Sequence, residues 1–64
     1  MPIEQIADAV LKKLRDHQAH SVDDIVRDTA KETLSYRSDV KSAVLGLLRR
    51  DKLELTKDFK VKLH

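Results

Sequence analysis

The sequence predicts a mainly α-helical domain closed by a small β-hairpin. Two observations carry this. Apolar residues recur at three-and-four spacing through three successive segments, and after Lys52 the apolar period drops to two. A third observation sets the boundary: with no repeat, low-complexity tract or linker, residues 1–64 read as one domain.

The first helix is expected from Pro2 to about His17. Pro2 suits a helix start, where a missing N–H costs nothing. Ile3, Ile6, Ala7, Val10, Leu11 and Leu14 then fall on one face. Gln18-Ala19-His20 breaks the pattern. Ser21-Val22-Asp23-Asp24 opens a second helix, with a hydroxyl to cap it and acids in the first turn facing the positive helix end. Asp24 takes the third position of a capping box. Val22, Ile25, Val26, Thr29 and Ala30 form the buried face, and the helix is expected to end near Lys31-Glu32. In the connection Thr33-Leu34-Ser35, Leu34 is available to plug the core.

A third helix follows, with Ser35 or Ser38 as its cap and Val40, Ala43, Val44, Leu47 and Leu48 as its apolar set. Arg49, Arg50 and Lys52 gather at its C-terminal end, where positive charge complements the dipole. Beyond it, Leu53 and Leu55 alternate with Glu54 and Thr56. Phe59, Val61 and Leu63 alternate with Lys60 and Lys62. Two such runs around Lys57-Asp58 make a hairpin. The turn lacks the Gly of a tight primed turn, so a looser one that includes Thr56 is expected. An isolated hairpin is marginal in water, so its apolar side must lie on the helices. Phe59 is expected to pin it there, and Tyr36 to sit half-buried at the start of the third helix.

Composition narrows the function. There is no cysteine, so neither a disulfide nor a thiolate metal site supports the fold. A core this small supplies only about 3–5 kcal/mol. No unbroken apolar run exceeds three residues, against about 20 for a membrane span. The N-terminus lacks the basic and apolar regions of a signal peptide. The expected location is cytoplasmic or nucleoid/nuclear, with no membrane partner. Gly46 is the only glycine, so there is no glycine-rich phosphate loop. A domain this size has little room for a water-excluding pocket. No enzymatic activity, cofactor or small-molecule substrate is expected. His17 and His20 straddle the end of the first helix with only Asp16 beside them, and read as a surface pair, not a metal site.

Charge is unevenly distributed. Residues 1–34 hold five basic and seven acidic residues, whereas residues 35–64 hold eight basic and four acidic ones. Such asymmetry points to a polyanionic partner.

Ser21-Val22-Asp23-Asp24-Ile25-Val26 opening the second helix, Val40 to Arg50 in the third, and the exit Asp51-Lys52-Leu53-Glu54-Leu55 together resemble a winged helix-turn-helix domain of order α-(β)-α-α-β-β. The resemblance covers nearly the whole chain. It implies a short strand near Ala19-His20-Ser21, a third helix that enters the DNA major groove and a wing that touches phosphates or the minor groove. The chain departs from the pattern in having Asp-Lys where many relatives have Gly, and in a short wing.

Carried onto this sequence, the resemblance implies a DNA-binding protein, a transcriptional regulator or accessory factor. Arg37, Ser38, Lys41, Ser42 and Arg49 would face the major groove, and Lys57, Lys60 and Lys62 would hold the backbone. About four to six phosphate contacts would be available. A single small domain binds one half-site weakly, so a homodimer or larger assembly is expected. Asp39 and the outward apolar Leu45 fit duplex DNA less well. They motivate the alternative, a winged helix used as a protein-interaction module without direct DNA binding.

Overall fold

Ile6, Val10 and Leu14, one turn apart, are fully buried, and they organise the first helix. The computed structural model describes residues 3–64; the expected helix start at Pro2 lies outside the described residues. Helix α1 spans Ile3–Lys13, shorter than the expected run to His17. The N–H groups of Leu14, Arg15 and His17 reach back only three residues, to Leu11, Lys12 and Leu14. That tightens the last turn. His17 then takes a left-handed φ of 60° and ends the helix. Asp16 accepts a hydrogen bond from the Gln18 N–H at 3.0 Å and lies 2.8 Å from His20 Nε2. The backbone bond first, and the His20 bond second, hold the Asp16 carboxyl below its ordinary value.

Strand β1, His20–Ser21, leads directly into helix α2, Val22–Thr33. Ser21 occupies the cap position but makes no side-chain cap bond. The expected capping box does not form, because the Asp24 carboxylate turns to Arg27 at 3.2 Å. Helix α2 ends on Leu34, at φ 54°. The Ser35 N–H then donates to the Ala30 carbonyl at 2.9 Å, closing the helix end in a Schellman-type turn. Leu34 does not plug the core. The left-handed turn swings it outward, and it is 93% exposed.

Helix α3 spans Arg37–Arg49 and is capped at Tyr36, not Ser35 or Ser38. Ser35 is engaged with Thr33 instead. Ser38 is already inside the first turn, since the Asp39 and Val40 N–H groups both bond to the Tyr36 carbonyl. Tyr36, expected half-buried, is 80% exposed because it stands outside the first turn. At the other end Asp51 takes φ 59°, and the Lys52 N–H reaches the Leu47 carbonyl at 2.9 Å. This is the same closure without a glycine.

Strands β2, Leu53–Leu55, and β3, Lys60–Leu63, complete an antiparallel sheet of order β1-β3-β2. His20 pairs with Val61 on one side of β3, and Leu55 pairs with Val61 on the other. Three helices and a small three-stranded antiparallel sheet form an arrangement compatible with a winged helix. The core joins α1 to Ile25, Val26 and Ala30 of α2, to Val40, Ala43, Val44 and Leu47 of α3, and to Leu53 and Val61 of the sheet. Thr29 is fully buried within it, and its hydroxyl has no hydrogen-bond partner among the described residues.

Two stability outcomes follow from this framework. A Cβ added at Gly46, inside α3, meets nothing within 4 Å. Gly46→Ala is therefore expected to stabilise the fold by about 0.5–1 kcal/mol, read as a rise in melting temperature. The lowered Asp16 pKa stabilises the folded state only above the usual carboxylate value, 3.8, and that contribution is lost as pH falls through the lowered value. Denaturant unfolding of wild type and Asp16→Asn should therefore differ at neutral pH and converge in acid.

Candidate interface on the third helix and hairpin

Burial of Val40, Ala43, Val44 and Leu47 leaves Arg37, Ser38, Lys41, Ser42, Leu45 and Arg49 on the exposed side of α3. Three of these residues, Arg37, Lys41 and Ser42, border different hollows. Arg37 and Lys41 converge with Arg27 and Asp23 of α2 around one hollow. Arg37 also borders Tyr36, Arg27 and Lys31 at the α2–α3 turn. Ser42 lies toward α1, near Glu4, Ala7 and Arg50, and its hydroxyl donates to the Ser38 carbonyl at 3.1 Å. Arg27 and Lys31 were missed in the sequence. Their i, i+4 spacing on the outer side of α2 was the available signal, but it reads equally as ordinary surface.

The hairpin turn has a definite geometry. The Thr56 N–H donates to the Lys60 carbonyl at 2.8 Å, and the Phe59 N–H donates to the Thr56 carbonyl at 3.1 Å. The Lys60 N–H donates to Thr56 Oγ1 at 3.1 Å. Phe59 itself takes φ 60°. This is a three-residue loop, a turn followed by one left-handed residue, at a position where Gly is usual. The expectation that Thr56 joins the turn holds. The expectation that Phe59 pins the hairpin from inside the core does not. Its left-handed backbone takes it out of the strand alternation, β3 begins at Lys60, and Phe59 is 62% exposed.

The pleat separates the three hairpin lysines. Leu53 and Val61 are buried on the inner side of the sheet. Lys60 and Lys62 therefore lie with Glu54 on the outer side, where Lys62 pairs across the strands with Glu54 at 3.5 Å. Lys57 stands exposed in the turn. The sheet thus does not bring Lys60 and Lys62 onto the side that meets α3. Among the described residues Arg37, Lys41, Arg49, Lys57 and Lys60 form no salt bridge. Arg27, by contrast, is engaged by Asp24 and Asp28.

Between α3 and the hairpin lies an apolar groove of about 290 Å³. Val22, Val44, Leu45, Leu48, Leu55 and Phe59 line it, with Asp23 and Lys41 as its charged members. Leu45 is 54% exposed and Leu55 49%. Leu55, which alternation puts on the inner side of the sheet with Leu53, faces this hollow together with Val44, Leu45 and Leu48 of α3. A 3.4 Å bond from the Val22 N–H to the Phe59 carbonyl ties the turn to the start of α2. Leu45 was singled out from the sequence; Leu55 and Phe59 were assigned to the core, and the groove was not foreseen.

His20 is engaged with Asp16, and among the described residues no three His, Cys, Asp or Glu side chains cluster as a metal site would require. Among the described residues no helix is long and apolar enough to cross a membrane. Comparison with protein-family models, with curated proteins and with solved structures finds no match to this chain.

A bulky residue in left-handed backbone costs about 1–2 kcal/mol, and Phe59 recovers little of it through burial. Phe59→Gly is expected to raise the urea midpoint by the equivalent of about 1 kcal/mol. A lower midpoint would mean that the ring contributes more packing than its exposure indicates.

Proposed function

We propose that the chain is a winged helix-turn-helix module that binds duplex DNA through α3 and the tip of its hairpin. The observation that carries this is the set of exposed cations without carboxylate partners on that side: Arg37, Lys41 and Arg49 along α3, and Lys57 at the turn. An unpaired cation needs no internal ion pair broken before it meets a phosphate. The short α2–α3 connection, Leu34-Ser35-Tyr36, suits the reading, since helix-turn-helix units are joined by about 3–4 residues.

Each side chain then has a role. Arg37 and Lys41, in the first half of α3, would approach base edges or the adjoining phosphates. Ser38, exposed beside them, would add a hydroxyl contact. Ser42, turned toward α1, is a weaker candidate. Arg49 and Lys57 would hold backbone on either side of the groove. Lys60 and Lys62 would reach only a backbone that curves around the outer side of the sheet. Such a module would serve as a transcriptional regulator or accessory factor.

The test is a fluorescence-anisotropy titration of the chain with a duplex at several salt concentrations. With about four phosphate contacts, log K should fall against log salt with a slope of about −3.6. Lys41→Ala and Lys57→Ala should each make that slope shallower by about 1. No binding to any duplex at about 50 mM salt removes the reading, because the electrostatic contribution is largest at low salt.

A further inference from the structure

A hollow of about 480 Å³ lies at the turn between α2 and α3. Arg27, Lys31, Ser35, Tyr36 and Arg37 line it around Ala30, and no carboxylate joins them. Arg27 and Lys31 stand one turn apart on the exposed side of α2. Arg37 opens α3 only three residues after α2 ends, which brings it across the turn to the same hollow. Ala30 is the one apolar member of the lining, and its methyl group fills little of the space. The other hollows differ. The one between α1 and α3 sets Glu4 against Arg50, and the apolar groove sets Asp23 against Lys41.

We propose that this hollow binds a phosphate group. Lys31 and Arg37 supply the charge, since neither is in a salt bridge among the described residues. Glu32, next to Lys31 in the chain, is taken by Lys13 of α1. Arg27 plays a different part. Asp24 holds its Nη2 at 3.2 Å and Asp28 its Nε at 3.4 Å. These two acids offset its charge, but they also fix the guanidinium and leave Nη1 free to donate. The Tyr36 side chain, 80% exposed, adds a hydroxyl. Lys41 lies farther along α3 in the adjoining hollow, where Asp23 opposes it.

The chemistry favours phosphate over a carboxylate. A phosphate group has three or four oxygens to share among donors that converge from two helices, whereas a carboxylate has two. Arg in particular matches phosphate oxygens in a fork. The phosphate could be a diester of a nucleic-acid backbone or an ester on a small ligand, and both would meet the same donors. The site therefore does not rest on the DNA reading. If a duplex does bind, the site extends the contact surface from α3 onto α2, away from the outer side of the sheet.

The experiment titrates the whole ¹⁵N-labelled chain, at fixed ionic strength, with pyrophosphate, with citrate of similar charge and with a short duplex. Pyrophosphate should shift the amides of Lys31 and of Leu34 to Ser38, and should bind more tightly than citrate. Lys31→Ala, at an exposed position, should weaken pyrophosphate about fivefold, the upper end for one exposed ion pair. Lys12→Ala removes the same charge from the exposed side of α1 and should leave the affinity unchanged. If a DNA backbone is the source, Lys31→Ala should also make the salt slope of duplex binding shallower by about 1. Dependence on Lys31 for pyrophosphate alone assigns the site to a free phosphate ester. The proposal is overturned if Lys31→Ala changes neither titration, if citrate binds as tightly as pyrophosphate, or if Lys12→Ala weakens binding equally, which would mean an adventitious ion only. A duplex that fails to bind while pyrophosphate depends on Lys31 removes the DNA reading and leaves this site standing. A duplex that binds while Lys31→Ala changes neither titration does the reverse.

Discussion

Strand β3 is hydrogen-bonded on both sides, to the two residues that precede α2 and to the strand that follows α3. Val61, at its centre, is fully buried and faces His20 across one ladder and Leu55 across the other. Four residues therefore fix the start of one helix relative to the end of another. Remove this pairing and the hairpin loses its place beside α3. The outer strands are too short to hold without it, since a lone hairpin is marginal in water. The bond from Val22 N–H to the Phe59 carbonyl extends the same constraint to the turn. The candidate surface is rigid only because β3 is central.

A second constraint comes from where the chain keeps its glycine. His17, Leu34, Asp51 and Phe59 all adopt positive φ, while the single glycine sits inside α3 at a site open to a methyl group. Asp51 bears the conformation comparatively well, because a short polar side chain tolerates it. Leu34 and Phe59 do not, and both are exposed. In a domain whose core supplies about 3–5 kcal/mol, such residues take a large share of the margin. Leu34 adjoins the start of α3 through Ser35 and Tyr36, and Phe59 lines the groove, so both strained residues border the candidate surface.

Periodicity made the helices, the hairpin and most of the core legible. Val10, Ile25, Val40, Leu47 and Val61 are inside for the reason their spacing indicates. The short strand at His20–Ser21 was implied by the winged-helix resemblance and not by any pattern in two residues. What escaped was tertiary or stereochemical. Leu34 and Phe59 have the composition of core residues, and only their left-handed backbone sends them outward. Ser21, Ser35 and Ser38 have the composition of caps, yet neighbouring groups or helix register take them out of that role. Lys60 and Lys62 share the strand face that alternation sets opposite the apolar side, so their place on the outer side of the sheet follows from the pattern once that apolar side packs on the helices. The groove needed all of these facts at once.

The two readings of the surface share one physical basis. Arg37, Lys41 and Arg49 of α3 and Lys57 of the hairpin turn, none of them in a salt bridge among the described residues, lie on the elements that also frame the open apolar groove. A duplex would use the first, and a protein partner would use the second. The most direct test of the shared claim is amide shift mapping of the ¹⁵N-labelled chain during a duplex titration at low salt. Binding through this surface predicts changes concentrated on Arg37 to Arg49 and on Lys57 to Phe59. Changes centred on α1, or spread evenly over all surfaces, would contradict it.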